Sequence, residues 1–124
     1  MNNLVALMIG GIAGTLARYA LTGAIFHKMG MDFPYGTLVV NLLGCFLVGF
    51  LDVLIERKFT VPSTVRLMMI TGFCGAFTTF SAYILETYAL IKAGALLKVF
   101  AYVCGSVSLG LILFRVGMLT ANLF

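Results

Sequence analysis

Charged side chains are scarce in this sequence. Only 10% of its 124 residues are Asp, Glu, Lys or Arg, whereas 62% are hydrophobic. A soluble domain of this size usually carries about 25% charged residues, so the polar surface here is too small to cover a globule that faces water. The composition therefore excludes an ordinary soluble domain and favours a protein whose outer surface faces lipid.

Tryptophan is absent, and the chain has only three cysteines, Cys45, Cys74 and Cys104. They lie in three different apolar segments without the spacing of a metal site, so we interpret them as small packing residues. No paired nucleophile and base, metal-ligand cluster or phosphate-binding loop is present, and we do not expect an enzyme. The N-terminus lacks a basic region, so we expect the first apolar stretch to be retained.

Long apolar stretches are what the sequence does contain. Each crossing of a bilayer needs about 20 mostly apolar residues, and four such stretches are separated by short polar connections. We predict one all-α domain over residues 1–124 with four transmembrane helices, at approximately 4–26, 37–55, 67–91 and 99–119.

The basic residues are divided evenly between the two ends of the predicted bundle. One end carries Arg57, Lys58, Arg66 and Arg115, and the other carries Arg18, Lys28, Lys92 and Lys98. This balance removes the bias that normally orients a membrane protein, so the chain can insert both ways and pair as an antiparallel homodimer. The alternative is a single orientation set by unequal depth of the flanking charges. Single basic residues at helix ends indicate lipid headgroups as partners and not nucleic acid.

Polar side chains inside the predicted helices are the candidate functional residues, because they need a partner or a cavity. Arg18 lies deep in the first helix, where it either snorkels, binds a carbonyl group or attracts anions. Asn41 lies inside the second helix, and its amide fits an interhelical hydrogen bond as well as a ligand contact.

The third helix contains the most informative stretch, which runs from Thr71 to Tyr83. Two glycines and the pair Thr78-Thr79 are weak helix formers near the middle of the crossing. A break there would free backbone groups that need an ion, a water-lined cavity or another helix. The alternative is a continuous helix whose threonine hydroxyls bond back to the preceding turn.

Further polar and aromatic residues follow that stretch. Phe80 and Tyr83 are three residues apart and are expected to share a face, with Glu86 one turn further along it. The positively polarised edges of aromatic rings can face a desolvated anion. In the fourth helix Tyr102 and Ser106 share a face, and structural hydrogen bonding is the default interpretation of these hydroxyls.

Three motifs together resemble the Fluc family of fluoride channels, also called CrcB proteins, over nearly the whole chain. They are Gly10-Gly11-x-x-Gly14-x-x-x-Arg18-Tyr19, Gly36-Thr37-Leu38-Val39-Val40-Asn41-Leu42-Leu43-Gly44 and Gly72-Phe73-Cys74-Gly75-Ala76-Phe77-Thr78-Thr79-Phe80-Ser81. The resemblance implies an antiparallel dimer of four-helix subunits whose third helix is broken at its middle. It also implies a structural sodium ion at the centre of the dimer, bound by the backbone carbonyls of Gly75 and Thr78 from both subunits.

The resemblance also implies two fluoride pathways per dimer. The pathway residues would be Asn41, Phe80, Ser81 and Tyr83, with Arg18 at the aqueous vestibule and a line of polar groups formed by Glu86, Tyr102 and Ser106. Tyr83 departs from the family pattern, which usually has phenylalanine at this position. The implied function is passive export of toxic fluoride across the bacterial inner membrane.

Two other functions compete with this interpretation. A small multidrug-resistance-type antiporter is also a dual-topology dimer, but its family places a proton-exchanging carboxylate in the first helix, whereas this chain has Glu86 in the third. An accessory subunit without transport activity would explain the glycines that allow close helix packing, but not the Gly-Thr-Thr-Phe pattern in the middle of the membrane.

Overall fold

The computed structural model describes all residues from 1 to 124, and it is entirely helical. The helices are α1 (Asn3–Met29), α2 (Tyr35–Val53), α3 (Ser63–Arg66), α4 (Gly75–Phe77), α5 (Phe80–Lys92) and α6 (Leu96–Ala121), with π-helical turns at Leu54–Lys58 and Leu67–Cys74. They form four crossings long and apolar enough to span a membrane: α1, α2 with its π-helical extension, Ser63–Lys92, and α6. The prediction of an all-α protein with four membrane-spanning helices is confirmed.

Polar residues extend the helices beyond the predicted apolar stretches. The last turn of α1 contains His27 and Lys28, whose positive or polar side chains suit the negative end of a helix dipole. Asn2 caps the start of α1 by accepting a hydrogen bond from the Leu4 amide at 3.0 Å. Gly30, at φ 78°, ends α1 in a backbone conformation that other residues rarely adopt.

The crossings pack in two main pairs. The most extensive contact joins α2 to α6, and the next joins α1 to the π-helical part of the third crossing. Close approach depends on glycine: a Cβ atom at Gly49 would overlap the Phe114 carbonyl, and one at Gly14 would overlap the Phe73 carbonyl. Both glycines therefore lie where helix backbones touch.

The third crossing is interrupted near its middle, as the family resemblance implied. Its first half runs from Ser63 to Phe77 and contains eight residues of π-helix. Thr78 and Thr79 then adopt extended backbone conformations, with ψ angles of 160° and 121°. The second half, α5, begins at Phe80. The two halves contact different neighbours, because the first packs mainly on α1 and the second on α6.

Most apolar side chains lie on the outside of the bundle, as expected for a surface that meets lipid or another protein chain. The largest completely buried side chains are Tyr102, Val40 and Cys74. Cys45 is half-buried, but Cys104 is exposed on α6, so the prediction of a packing role is wrong for Cys104 within one chain.

Candidate functional site

The interruption at Thr78 and Thr79 is the centre of the candidate site. The last regular bond of the first half runs from the Thr78 amide to the Cys74 carbonyl at 3.1 Å. The Thr78 hydroxyl bonds back to the same carbonyl at 2.9 Å. The Thr79 hydroxyl caps α5 by accepting from the Ala82 amide at 3.3 Å. Thus one threonine ends the first half-helix and the next begins the second.

Asn41 binds the interrupted backbone from α2. Its Oδ1 accepts from the Thr79 amide at 2.8 Å, and its Nδ2 donates to the Thr79 carbonyl at 3.0 Å. The side-chain amide thereby replaces both backbone partners that Thr79 lacks outside a helix. One hydrogen of Nδ2 remains free for a further acceptor.

Arg18 is tied to the same region. Its Nε donates to the Ala76 carbonyl at 3.0 Å. This carbonyl belongs to the last turn of the first half-helix, where the helix dipole is negative and carbonyl groups lack helical partners. Of the roles considered for Arg18, the structure contains the bond to a carbonyl group.

Two carbonyl groups at the break are released from the helical pattern. The Thr78 carbonyl accepts no hydrogen bond. The Gly75 carbonyl receives none from the next amides in reach, because those of Thr78 and Thr79 donate to Cys74 and Asn41. Gly75 is also exposed on the surface of the chain. Unwound carbonyls at a half-helix C-terminus are suitable ligands for a sodium ion. The carbonyls of Gly75 and Thr78 therefore fit the sodium ion that the family resemblance implies.

The aromatic residues after the break have different environments. Phe80 is 74% exposed, whereas Tyr83 is only 7% exposed. Their ring centroids are 5.8 Å apart, so the two rings are neighbours. Tyr83 packs edge-on against Tyr102, with ring centroids 4.9 Å apart. Ser81 is exposed beside Phe80. The expectation of one common face is therefore only partly met, since α5 presents Phe80 outward and Tyr83 inward.

Glu86 connects three crossings. Its Oε1 accepts from the Thr37 hydroxyl at 2.7 Å, and its Oε2 accepts from the Tyr102 hydroxyl at 2.7 Å. Ser106, the third member of the predicted line of polar groups, is not bonded to them, and its buried Oγ has no partner. Thr37 was not predicted as a site residue, although its place in the second motif, at the start of a membrane segment, was the available signal.

A cavity of about 860 Å³ adjoins this cluster. It is lined by residues of α1, α2, α5, α6 and the connections at this end. Its ionisable groups include His27, Asp32, Glu86 and Lys98. Arg18 does not line this cavity, and its place at the vestibule stays a prediction. The sequence offered little signal for Asp32 and Lys98, because charged residues at helix ends are ordinary in membrane proteins.

Comparison with known proteins decides the family. The sequence profile described as "CrcB-like protein, Camphor Resistance (CrcB)" matches residues 5–118. The chain belongs to the CrcB family. This confirms the resemblance inferred from the three motifs, and the CrcB chain is a multi-pass membrane protein with four spanning helices.

Curated relatives of this CrcB chain carry the name "Fluoride-specific ion channel FluC". One from Hydrogenobaculum sp. is 39% identical over 121 residues, which cover 98% of this chain and 98% of the relative. One from Chloroflexus aurantiacus is 40% identical over 118 residues, covering 95% and 94%. One from Methylococcus capsulatus is 43% identical over 120 residues, covering 97% of this chain and 53% of the relative. The chain thus spans about half the length of the last protein.

Proposed function

We propose that this chain is a fluoride-specific ion channel. The observation that carries the proposal is the similarity to relatives of that name over almost the whole length of both chains, as with the Hydrogenobaculum protein. Its family is one of channels, so the polar residues are assigned to ion passage and not to catalysis. Passive export of fluoride is the function that follows.

The hydrogen-bond donors at the break suit a fluoride pathway. Fluoride is small and strongly hydrated, so a pore must replace its water with donors. Asn41 retains one free amide hydrogen after binding Thr79. Phe80 and Ser81 directly follow Thr79 in sequence and are exposed. The edges of Phe80 and Tyr83 supply further positive polarisation. These four residues form the proposed pathway.

The polar cluster beyond the aromatic rings continues that pathway in the proposal. Tyr102 and Thr37 already donate to Glu86, so the carboxylate is held in place and stabilised by two hydrogen bonds. The buried Ser106 Oγ has no partner, and its hydroxyl is free to donate to an ion. Arg18 adds positive charge beside the half-helix end.

The proposed functional unit is an antiparallel homodimer around a sodium ion. The even division of basic residues supports insertion in both orientations. Gly75, Phe80 and Ser81 are exposed on a single chain although they belong to the site, which is expected if a second copy covers them. The carbonyls of Gly75 and Thr78 from both copies would bind the ion. The sodium ion would supply a fixed positive charge that holds the two broken crossings together.

Reconstitution tests the proposed activity. Purified protein is placed in liposomes loaded with potassium fluoride, and fluoride efflux is followed with a fluoride electrode. Valinomycin is added to start efflux, because it lets potassium ions leave and so compensates the charge of the fluoride ions. We expect rapid fluoride efflux and no chloride efflux from matched chloride-loaded liposomes. Asn41→Ala should reduce fluoride flux strongly, because it removes both bonds to Thr79.

Other outcomes would favour a different function. Efflux of an organic cation that depends on a proton gradient would support the antiporter, with Glu86 as its carboxylate. Equal fluoride and chloride release would contradict selectivity. Absence of any fluoride release from liposomes that contain folded dimer would overturn the proposal.

A further inference from the structure

The cavity next to Glu86 has an unusual charge distribution for an anion pathway. Its lining contains two carboxylates, Asp32 and Glu86, the imidazole of His27 and a single ammonium group, that of Lys98. With His27 neutral, these groups sum to one net negative charge. An anion that approaches Glu86 through this cavity therefore meets a net negative lining even with Lys98 present, and without Lys98 the net charge of these groups would be −2.

Lys98 is held at the cavity by the connection between α1 and α2. Its Nζ donates to the backbone carbonyl of Asp32 at 3.0 Å. No ion pair joins Lys98 to the Asp32 carboxylate, since the one ion pair of the chain is between Arg66 and Asp52 at the other end of the bundle. Lys98 is therefore a positioned cation with its charge uncompensated by a direct partner.

We propose that Lys98 raises the local concentration of fluoride in this cavity and that Asp32 lowers it, so that the pair sets the rate of ion access. The inference rests on the proposed function, since it concerns the supply of the permeating anion. It assigns roles to two residues outside the three motifs. Lys98 acts through space as an electrostatic residue, and it need not touch the ion.

Coulomb's law gives the expected size of the effect. Removing one unit charge about 10 Å from an ion in a water-filled cavity changes the local anion concentration about twofold, and a lower effective dielectric constant increases this change. We therefore expect Lys98→Gln to lower fluoride flux about two- to fourfold at low fluoride and low ionic strength. Asp32→Asn should raise it about twofold under the same conditions.

The ionic strength separates an electrostatic role from a structural one. The screening length falls from about 30 Å at 0.01 M salt to about 3 Å at 1 M. Both effects should shrink toward wild-type flux when N-methylglucamine isethionate is added at constant sodium and constant pH. A loss caused by the missing bond to the Asp32 carbonyl would persist in high salt. At saturating fluoride, the difference in flux between each variant and the wild-type protein should also disappear.

Lys92 provides the matched control. It is exposed at the same end of the bundle, where its Nζ lies 5.8 Å from the centre of the Tyr88 ring, and it does not line the cavity. Lys92→Gln removes the same charge and should leave flux unchanged. Lys98→Arg keeps the charge and should retain wild-type flux.

The outcomes distinguish this inference from the proposed function. Absence of fluoride flux in the wild-type protein would overturn the proposed function itself. Normal wild-type flux with an unchanged Lys98→Gln variant would overturn the role of Lys98 alone. Equal losses in Lys98→Gln and Lys92→Gln would show a general surface charge effect and would also reject it.

Discussion

At the scale of single residues, Asn41 shows how one side chain makes an interrupted membrane helix tolerable. An unpaired backbone group in a region without bulk water is costly, and Thr79 has two such groups. Asn41 satisfies both at 2.8 and 3.0 Å. The amide is suited to this because it combines a donor and an acceptor in one planar group.

We predict that Asn41→Ala lowers the free energy of unfolding by about 1–3 kcal/mol, because it leaves the Thr79 amide and carbonyl unpaired. Asn41→Asp should restore only part of the loss, since a carboxylate accepts from the amide but faces the carbonyl with a second oxygen. Reversible unfolding in mixed detergent micelles, followed by circular dichroism, measures both changes.

Asn3 is the control for this prediction. Its amide makes one exposed bond of 3.2 Å with Thr64, so Asn3→Ala should change stability by less than about 0.5 kcal/mol. Equal losses at Asn3 and Asn41 would contradict a special role for Asn41 at the break.

A second prediction concerns the bond between Tyr102 and Glu86. Because Tyr102 is completely buried and donates to Glu86 at 2.7 Å, Tyr102→Phe and Glu86→Gln should not be additive. A double-mutant cycle in micelles should give a coupling energy of about 0.5–2 kcal/mol. The exposed Tyr88 serves as the control, and Tyr88→Phe combined with Glu86→Gln should be additive within error.

The sequence indicated which polar residues lie inside the membrane helices, but it did not indicate their hydrogen-bond partners. For Asn41 it left open a hydrogen bond between helices or a ligand contact, and the choice depends on the placement of α2 beside the break. For Thr78 it left open a break in the helix or a continuous helix whose threonine hydroxyls bond back, and the structure has both the break and the hydroxyl bond to Cys74. Thr37 was not predicted as a site residue, because hydroxyl groups in membrane helices are common and usually bond to their own backbone.

At the scale of helices, close contact between α1 and the third crossing depends on one edge of α1. Gly10 and Gly14 both lie against backbone atoms of the first half of that crossing, whereas Gly11 has no other group within 4 Å of where a Cβ atom would stand. Three neighbouring glycines thus have different roles, and the motif alone did not distinguish them.

Substitution of Gly14 by alanine should therefore be harmful and that of Gly11 harmless. Gly14→Ala forces α1 away from the Phe73 carbonyl and should cost about 1–3 kcal/mol of stability. Gly11→Ala should be neutral or stabilising by up to about 1 kcal/mol, since alanine favours helix. Unfolding of the two variants in the same micelles checks the prediction, and similar effects at both positions would contradict it.

The interrupted crossing was anticipated from weak helix formers together with the family resemblance, whereas the π-helical turns were not. A wider turn, with hydrogen bonds between residues i and i+5, is rare in proteins, and nothing in the composition of this chain indicated it. The limits of the helices also exceeded the apolar stretches, since charged residues such as Lys28 and Lys92 still continue the helical backbone.

At the scale of the whole molecule, the balance of basic residues predicts insertion in both orientations. A topology reporter fused after Phe124 should lie on one side of the membrane in some copies of the chain and on the other side in the rest. Adding two lysines at one end, as in Thr60→Lys with Leu123→Lys, should fix one orientation and abolish fluoride flux. Met31 and Ala93 are exposed at the other end of the bundle. Replacing both by lysine should fix the opposite orientation.

Co-expression of the two biased variants should restore flux, because each supplies the orientation that the other lacks. Either variant expressed alone with normal flux would contradict an antiparallel dimer. A reporter active on only one side for the unmodified chain would do the same.

The division of the third crossing has a mechanical consequence. Its first half packs mainly on α1 and its second half on α6, while α2 touches both partners. The subunit thus has two packed groups of helices, one around α1 and one around α6, which the extended residues Thr78 and Thr79 connect and the Asn41 amide holds to α2. An ion bound at this connection would tie the two groups of helices together. Slower amide hydrogen exchange at Thr78 and Thr79 would then reveal ion binding even without measurement of transport.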